Sequence, residues 1–196
     1  MISRTDRGSN LVLSGFMGTG KTSVGRRLAA RLGFEFVDLD ELIEAEAGLP
    51  IREIFAARGE AAFRALEREM VSRMAARRRS VIAVGGGAIV DPGNLAALRE
   101  IGVLIALCAA PEVILSRVGG GEERPMLWGP DTRQRILQLL AERAPAYAQA
   151  DLQVDTSSRS VDEVVEHILT LLPDDLRHAQ GQQHATPSRD PGQPGL

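Results

Sequence analysis

Short apolar runs alternate along this chain with longer stretches whose apolar residues recur every three or four positions. Runs of the first kind fall at 10–14, 34–37, 80–84, 102–107 and 151–154. They are too short for helices, are bounded by polar residues and glycine, and read as buried strands. Amphipathic spacing predicts helices at about 20–32, 39–47, 51–57, 60–77, 92–100, 111–117, 131–143 and 160–172. In the first of these, Val24, Leu28 and Leu32 fall one turn apart and Gly33 supplies the stop. Alternation of this kind predicts an α/β fold: a three-layer α/β/α sandwich around a central five-stranded parallel sheet. Ligands of such sheets collect at the carboxyl ends of the strands, so the segments that follow them carry the functional expectations. The two ends fall outside the pattern. Residues 1–9 are polar, and 174–196 are rich in Gln, Pro, Gly and Asp with almost nothing to bury. Both read as disordered, leaving a single domain over residues 10–173.

Composition narrows the classes. Of 196 residues, 44% are hydrophobic and 25% charged, as in a soluble globular protein. A formal net charge of −3 gives no electrostatic case for a nucleic-acid partner. Cys108 is the single cysteine and sits in the apolar run 103–109, so no intrachain disulfide can form. It reads as a buried thiol in a reducing compartment. No apolar stretch reaches membrane-spanning length and the first residues lack the apolar core of a signal peptide, so no membrane association and a cytoplasmic location are expected. His167, His178 and His184 are scattered and read as solvated side chains, with no transition-metal site expected. The run Arg77-Arg78-Arg79 reads as the end of a helix, where cations suit the dipole.

The chemistry concentrates after the first strand. Lys21 is the single lysine among 23 Lys and Arg. It stands in Gly15-Phe-Met-Gly18-Thr-Gly20-Lys21-Thr22, which fits the G-x-x-x-x-G-K-[ST] phosphate-binding loop. A compact ammonium on a flexible stem reaches between β- and γ-phosphates where a planar guanidinium would not. Gly15, Gly18 and Gly20 permit tight turning, Thr22 offers a hydroxyl to Mg²⁺, and the helix N-terminus favours an anion. The chain is expected to bind a nucleoside triphosphate. After the second strand, Asp38 and Asp40 stand at i and i+2, on one side of an extended chain. One could hold Mg²⁺ through water and the other accept a proton from a substrate hydroxyl; the alternative is that either caps the next helix. After the third strand, Gly85-Gly86-Gly87 exposes backbone amides to a ligand, or simply links two elements. Glycines 119–121 ahead of Arg124 suggest a mobile flap that brings a cation to the transferring phosphoryl group, against the alternative of a plain surface loop.

These pieces in this order resemble the shikimate kinase family, over about residues 10–172. The resemblance rests on the phosphate loop, on Phe36-Val-Asp38-Leu-Asp40-Glu-Leu-Ile-Glu44, and on Ile51-Arg-Glu-Ile-Phe55 with Gly59-Glu60 and Phe63-Arg64-Ala-Leu-Glu67. Gly85-Gly-Gly87-Ala, Arg124-Pro-Met-Leu127 and Arg143-Ala-Pro-x-Tyr147 complete it. It implies a P-loop fold like that of nucleoside-monophosphate kinases, with a substrate-binding segment at about 38–68 and a lid at about 118–130. It further implies ATP and shikimate as substrates and one Mg²⁺ with the nucleotide. No stretch reads as an interface helix with an unexplained apolar stripe, so a monomer is expected. In that reading Gly18, Thr19, Gly20, Lys21, Thr22 and Ser23 surround the phosphates, and Thr22 with Asp38 serves Mg²⁺, Asp38 through water. Asp40 would hold the acceptor hydroxyl, Arg64 and Arg143 would clamp the carboxylate, and Glu67 would orient Arg64. Gly86 and Gly87 would offer backbone contacts, Arg124 would swing in with the lid, and Arg117 and Arg159 would flank the adenine. Lys21, Asp40 and Arg124 are thereby the expected catalytic residues. Two departures stand out: the order Lys-Thr-Ser in the loop, which keeps a hydroxyl for Mg²⁺, and a bulky Met126-Leu-Trp128 in the lid. A kinase of another small sugar acid, such as gluconate, and a non-catalytic ligand-sensing module are the competing readings.

Overall fold

A computed structural model describes residues 9–118 and 131–177 of the chain. Five strands, β1 (Asn10–Gly15), β2 (Glu35–Asp38), β3 (Ser80–Ala83), β4 (Gly102–Cys108) and β5 (Leu152–Asp155), form one parallel sheet in the order β2-β3-β1-β4-β5. The helices are α1 (Lys21–Leu32), α2 (Leu39–Ala47), α3 (Ile51–Arg73), α4 (Pro92–Ile101), α5 (Pro111–Val118), α6 (Thr132–Tyr147), α7 (Val161–Leu171) and the short α8 (Asp174–Arg177). The phosphate loop leaves the central strand, so every functional segment at the strands' carboxyl ends lies within reach of it.

Alternation along the strands divides the core. Val12, Ile82, Leu104 and Ala106 face one side and pack with residues of α2, α3 and α4. Leu11, Leu13, Val81, Val103, Ile105 and Leu107 face the other, against α1 and α7. Successive strand side chains point to opposite faces, and strands buried on both sides are apolar throughout, which is why these runs show no alternation in sequence. A smaller cluster of Phe16, Ile114, Ile136 and Leu139 seats the phosphate loop against α5 and α6.

Four expectations need correction. The helices expected at 51–57 and 60–77 run together as α3, with the break surviving as a kink at Gly59 (φ 78°, ψ 172°). The helix expected to end at 143 continues through Pro145 to Tyr147; so close to the helix end, the proline removes one backbone bond without stopping the helix. Residues 174–177, expected to belong to a disordered tail, form α8, and Leu176 packs into the core at 2% exposure; 178–196 lie outside the described residues. Cys108, expected to be buried, is partly exposed as the last residue of β4. Burial, with Asp155 nearby, pushes its thiol pKa up. Among the described residues, no helix is long and apolar enough to cross a membrane.

Candidate active site

The phosphate loop is shaped by contacts only glycine allows at its entry. A Cβ on Gly15 (φ +142°) would stand 2.2 Å from the Leu107 carbonyl oxygen of the neighbouring strand. Past the turn, Thr19 is buried and its hydroxyl donates to the Phe16 carbonyl at 2.7 Å. The Lys21 ammonium curls back over the loop and donates to the carbonyls of Gly15 at 2.9 Å and Phe16 at 3.2 Å. Gly20 precedes α1 in a left-handed conformation, and no side chain caps that helix. Its first amides are thus open to an anion. Gly18 and Gly20 are partly buried within the loop, and Ser23 is exposed on α1.

Thr22 and Asp38 meet, the hydroxyl donating to Asp38 Oδ2 at 3.0 Å. Here the expected extended arrangement gives way. Asp38 is the N-cap of α2, its Oδ1 accepting from the Asp40 N–H at 3.1 Å, so Asp40 lies in the first helical turn. The capping role thus falls to Asp38, and Asp40 is free of it. The carboxylate and hydroxyl at Asp38 and Thr22 are hard oxygen donors side by side at the loop. They suit Mg²⁺, which keeps several waters and takes its remaining ligands from phosphates.

Beyond Asp40 lies the cationic end of the cleft. Arg64 donates to the buried Glu67 at 2.7 Å and to Glu60 at 3.2 and 3.3 Å. Glu67 is 1% exposed. Burial pushes its carboxyl pKa up, Arg64 pulls it back, Asp40 pushes it up again and Arg143 opposes. For Arg64 burial disfavours the charge, but Glu67 and Glu60 outweigh it and raise its pKa. Arg143 is buried at 6% exposure, its guanidinium 5.3 Å from the centre of the Phe16 ring. Between the two arginines runs the glycine turn. A Cβ on Gly87 would stand 2.8 Å from Arg64 Nη2, and one on Gly86 3.3 Å from Arg143 Nη1. A Cβ on Gly85 would stand 2.9 Å from Glu67 Oε1 and 3.2 Å from Asp40 Oδ1. Glycine is therefore what lets this turn lie flat against the charged side chains.

Lys21, Thr22, Asp38, Asp40, Arg64, Gly86, Gly87 and Arg143 all line one cleft of about 470 Å³. It holds a cationic fork at one end and a phosphate loop at the other, the layout that a phosphoryl transfer to a small acid requires. Arg117 lies elsewhere. Its guanidinium donates to the Gly18 carbonyl at 3.2 Å and to the Thr156 carbonyl at 2.9 Å, tying the loop to the segment after β5. Arg159 is exposed and donates to the Asp155 carbonyl at 2.7 Å. Arg124 and most of the expected lid lie outside the described residues.

Sequence reasoning gave no role to four residues that shape the site. Phe16 supports Arg143, Glu60 holds Arg64, Thr156 bonds the phosphate loop through the Thr19 carbonyl at 3.1 Å, and Tyr147 donates to the Gly86 carbonyl at 2.8 Å. Tyr147 was legible as part of the Arg143-Ala-Pro-x-Tyr147 motif. Phe16 and Glu60 also lie inside quoted motifs, and Glu60 stands one helical turn before Arg64, but neither motif showed what they hold. Thr156 carries no spacing signal.

Comparison with known proteins places this arrangement. A family model described as Shikimate kinase matches residues 17–173. The chain is 48% identical over 165 residues to the shikimate kinase of Geobacter sulfurreducens, covering 84% of this chain and 91% of that one. It is 49% identical over 166 residues to that of Symbiobacterium thermophilum, covering 83% and 95%. A solved shikimate kinase from Acinetobacter baumannii in complex with shikimate is similar with a TM-score of 0.81 and 35% identity, over 86% of this chain and 94% of that one.

Proposed function

The chain belongs to the shikimate kinase family, and on that premise we propose that its cleft works through the residues gathered there. The reaction is transfer of the γ-phosphate of ATP to the 3-hydroxyl of shikimate, giving shikimate 3-phosphate and ADP in aromatic amino acid biosynthesis. The observation that carries the residue assignments is the convergence of Asp40, Arg64 and Arg143 in the cleft that also holds Lys21 and Thr22.

Arg64 and Arg143 take the carboxylate, and charge-assisted bonds from two directions fix the orientation of the ring as well as its position. Glu67 and Glu60 hold Arg64 for this, and Phe16 holds Arg143. Orientation brings the acceptor hydroxyl to Asp40, which accepts its proton as the oxygen attacks the γ-phosphorus. The bond from that phosphorus to the ADP oxygen breaks as the new one forms. Lys21 leaves its loop carbonyls for the γ-phosphate, where charge grows during transfer. Thr22 and Asp38 would hold Mg²⁺, and the bound ion would supply positive charge to offset that of the phosphates. Gly18, Thr19, Gly20 and Ser23 surround the phosphates, and Arg117 and Arg159 flank the adenine. Arg124 swings in with the lid expected at about 118–130, whose closure excludes water. The protein acts as a cytoplasmic monomer in this reading.

ADP release with Mg·ATP against shikimate, gluconate and quinate, using Lys21→Ala as the blank, tests the assignment. Turnover of shikimate alone, lost in the blank, is expected. Turnover of gluconate instead, or of no acid with ATP still bound, would reject it. Asp40→Asn is expected to keep nucleotide binding and lose turnover by about 10²–10⁴-fold. Near-normal turnover would remove Asp40 from the proton-accepting role.

A further inference from the structure

Helix α6 presents two side chains from one face, Arg143 lining the cleft and Tyr147 packed in the core behind it. Arg143 and Tyr147 are four residues apart, one turn of helix. Arg143 turns toward the acid site, while Tyr147 turns to the glycine segment. Its ring is buried in the core at 7% exposure, and its hydroxyl emerges at Gly86 and donates to that carbonyl at 2.8 Å. Gly86 is crowded on three sides. A Cβ there would stand 2.7 Å from the Gly15 carbonyl oxygen and 3.3 Å from both Arg143 Nη1 and Tyr147 Oη.

The peptide bond that follows Gly86 is planar and trans, as among all described residues. In such a unit the Gly86 carbonyl and the Gly87 N–H point in opposite directions. Whatever fixes the carbonyl therefore fixes the amide. The Gly87 N–H is itself unused: among the described residues, the hydrogen bonds of the turn are Ala88 N–H to the Gly85 carbonyl at 3.0 Å and Val90 N–H to the Gly87 carbonyl at 3.1 Å, and neither engages it. Without an anchor this glycine-rich peptide would rotate readily, because glycine tolerates nearly every backbone conformation. A donor at the cleft wall gains more affinity when its direction is set before the ligand arrives.

Resting on the shikimate reading above, we propose that Tyr147 is a positioning residue, anchoring the Gly86 carbonyl so that the Gly87 N–H is aimed at the bound acid. Tyr147 touches no substrate in this role; it acts through the backbone of the glycine turn. Burial also pushes its phenol pKa up, against the pull of Arg143, so the hydroxyl keeps its proton and stays a donor at neutral pH.

The test is Tyr147→Phe, which leaves the ring and its packing in place and removes one oxygen. The KM for shikimate is expected to rise about five- to tenfold, the span of one lost hydrogen bond. The KM for ATP and kcat should stay within about twofold. Equal increases in both KM values, or a lowered melting temperature with an unchanged shikimate KM, would overturn the proposal by showing a role in packing alone. Shikimate-dependent ADP release by the wild-type chain reports on the parent reading, while the ratio between the two proteins reports on Tyr147.

A second readout follows the peptide itself. With glycine labelled at the carbonyl carbon and the nitrogen, carbonyl-to-amide correlation spectra show only Gly–Gly peptides, which occur solely at 85–87 and 119–121. The Gly87 cross-peak is expected to shift on adding shikimate to the wild type and to shift much less in Tyr147→Phe at saturation. A shift of the same size in both would overturn the anchoring.

Discussion

At the scale of single residues, the cationic end of the cleft depends on one carboxyl held in an unfavourable place. Glu67 is nearly inaccessible, with Arg64 drawing its pKa down and Asp40 pushing it up, and burial deciding the direction. Because the folded pKa lies above the ordinary value of 4.5, the folded protein holds this proton more tightly than the unfolded chain. Linkage then fixes the sign. The contribution to stability is fully present below 4.5 and is lost as pH rises through the raised folded value. Glu67→Gln removes this titration, so the variant should gain stability relative to wild type as pH climbs above 4.5. Denaturant midpoints of the two proteins across that range check it, and a pH-independent difference would contradict it. Where wild-type Glu67 is ionised, at pH above its raised folded value, the variant should also bind shikimate more weakly, because Arg64 loses a charged partner at 2.7 Å. Gly87→Ala attacks the same arginine from the other side. The added methyl would stand 2.8 Å from Nη2 and 2.9 Å from Nη1, so the guanidinium must move off its site. A shikimate KM raised about tenfold or more, with little change for ATP, is the expected result. Equal effects on both substrates would place the damage in the phosphate loop instead.

Among the elements, the mouth of the sheet is set by a residue at its far end. Asn10 opens β1, fully buried, and its amide joins three segments. It donates to the Arg77 carbonyl at 2.8 Å and the Ile101 carbonyl at 3.1 Å, and accepts from the Ser80 N–H at 3.0 Å. The starts of β1, β3 and β4 are thereby held in register. Asn10→Ala leaves those backbone groups unpaired and should cost about 2–4 kcal/mol, read as a lowered denaturant midpoint with unchanged KM values. Neutral stability would mean that water replaces the amide. In sequence Asn10 was only the edge of an apolar run, because no local pattern reports a bond to residues 70 or 91 positions away. The strands themselves were legible: the central β1, β3 and β4 read as apolar runs because a covered parallel sheet buries both their faces, and the shorter edge strands β2 and β5 still interrupt the helical spacing. So was the phosphate loop, whose glycines and lysine answer to local backbone geometry. The Asp38–Asp40 pair was legible as a pair, but its geometry was not. Spacing of two suits a strand, and only the hydrogen bond from the Asp40 N–H to Asp38 shows that the helix has already begun. Phe16 beneath Arg143 was invisible for a further reason, as it joins elements distant in sequence through a ring face.

For the whole molecule, the question is where the folded body ends. Composition placed the boundary after residue 173, yet α8 adds one more turn and returns Leu176 to the core formed by α1, α7 and the sheet. The same flank carries ion pairs between α1 and α7, Arg27 with Asp162 and Arg31 with Glu166, all well exposed and therefore weak contributors. Apolar burial decides the matter here. Full burial of a leucine stabilises by about 2 kcal/mol, which for a domain of this size corresponds to a melting temperature about 4–8 °C higher. Two truncations separate the alternatives. Removal of residues 178–196, which are polar and rich in Gln and Pro, should leave melting temperature and turnover unchanged. Removal of 174–196 takes Leu176 as well and should lower the melting temperature by that amount, with shikimate and ATP KM values intact, because α7 and α8 cover the face of the sheet opposite α2, α3 and α4. Equal melting temperatures for the two truncations would show that α8 adds nothing. A loss of stability already at the shorter one would show that the polar tail docks on the body.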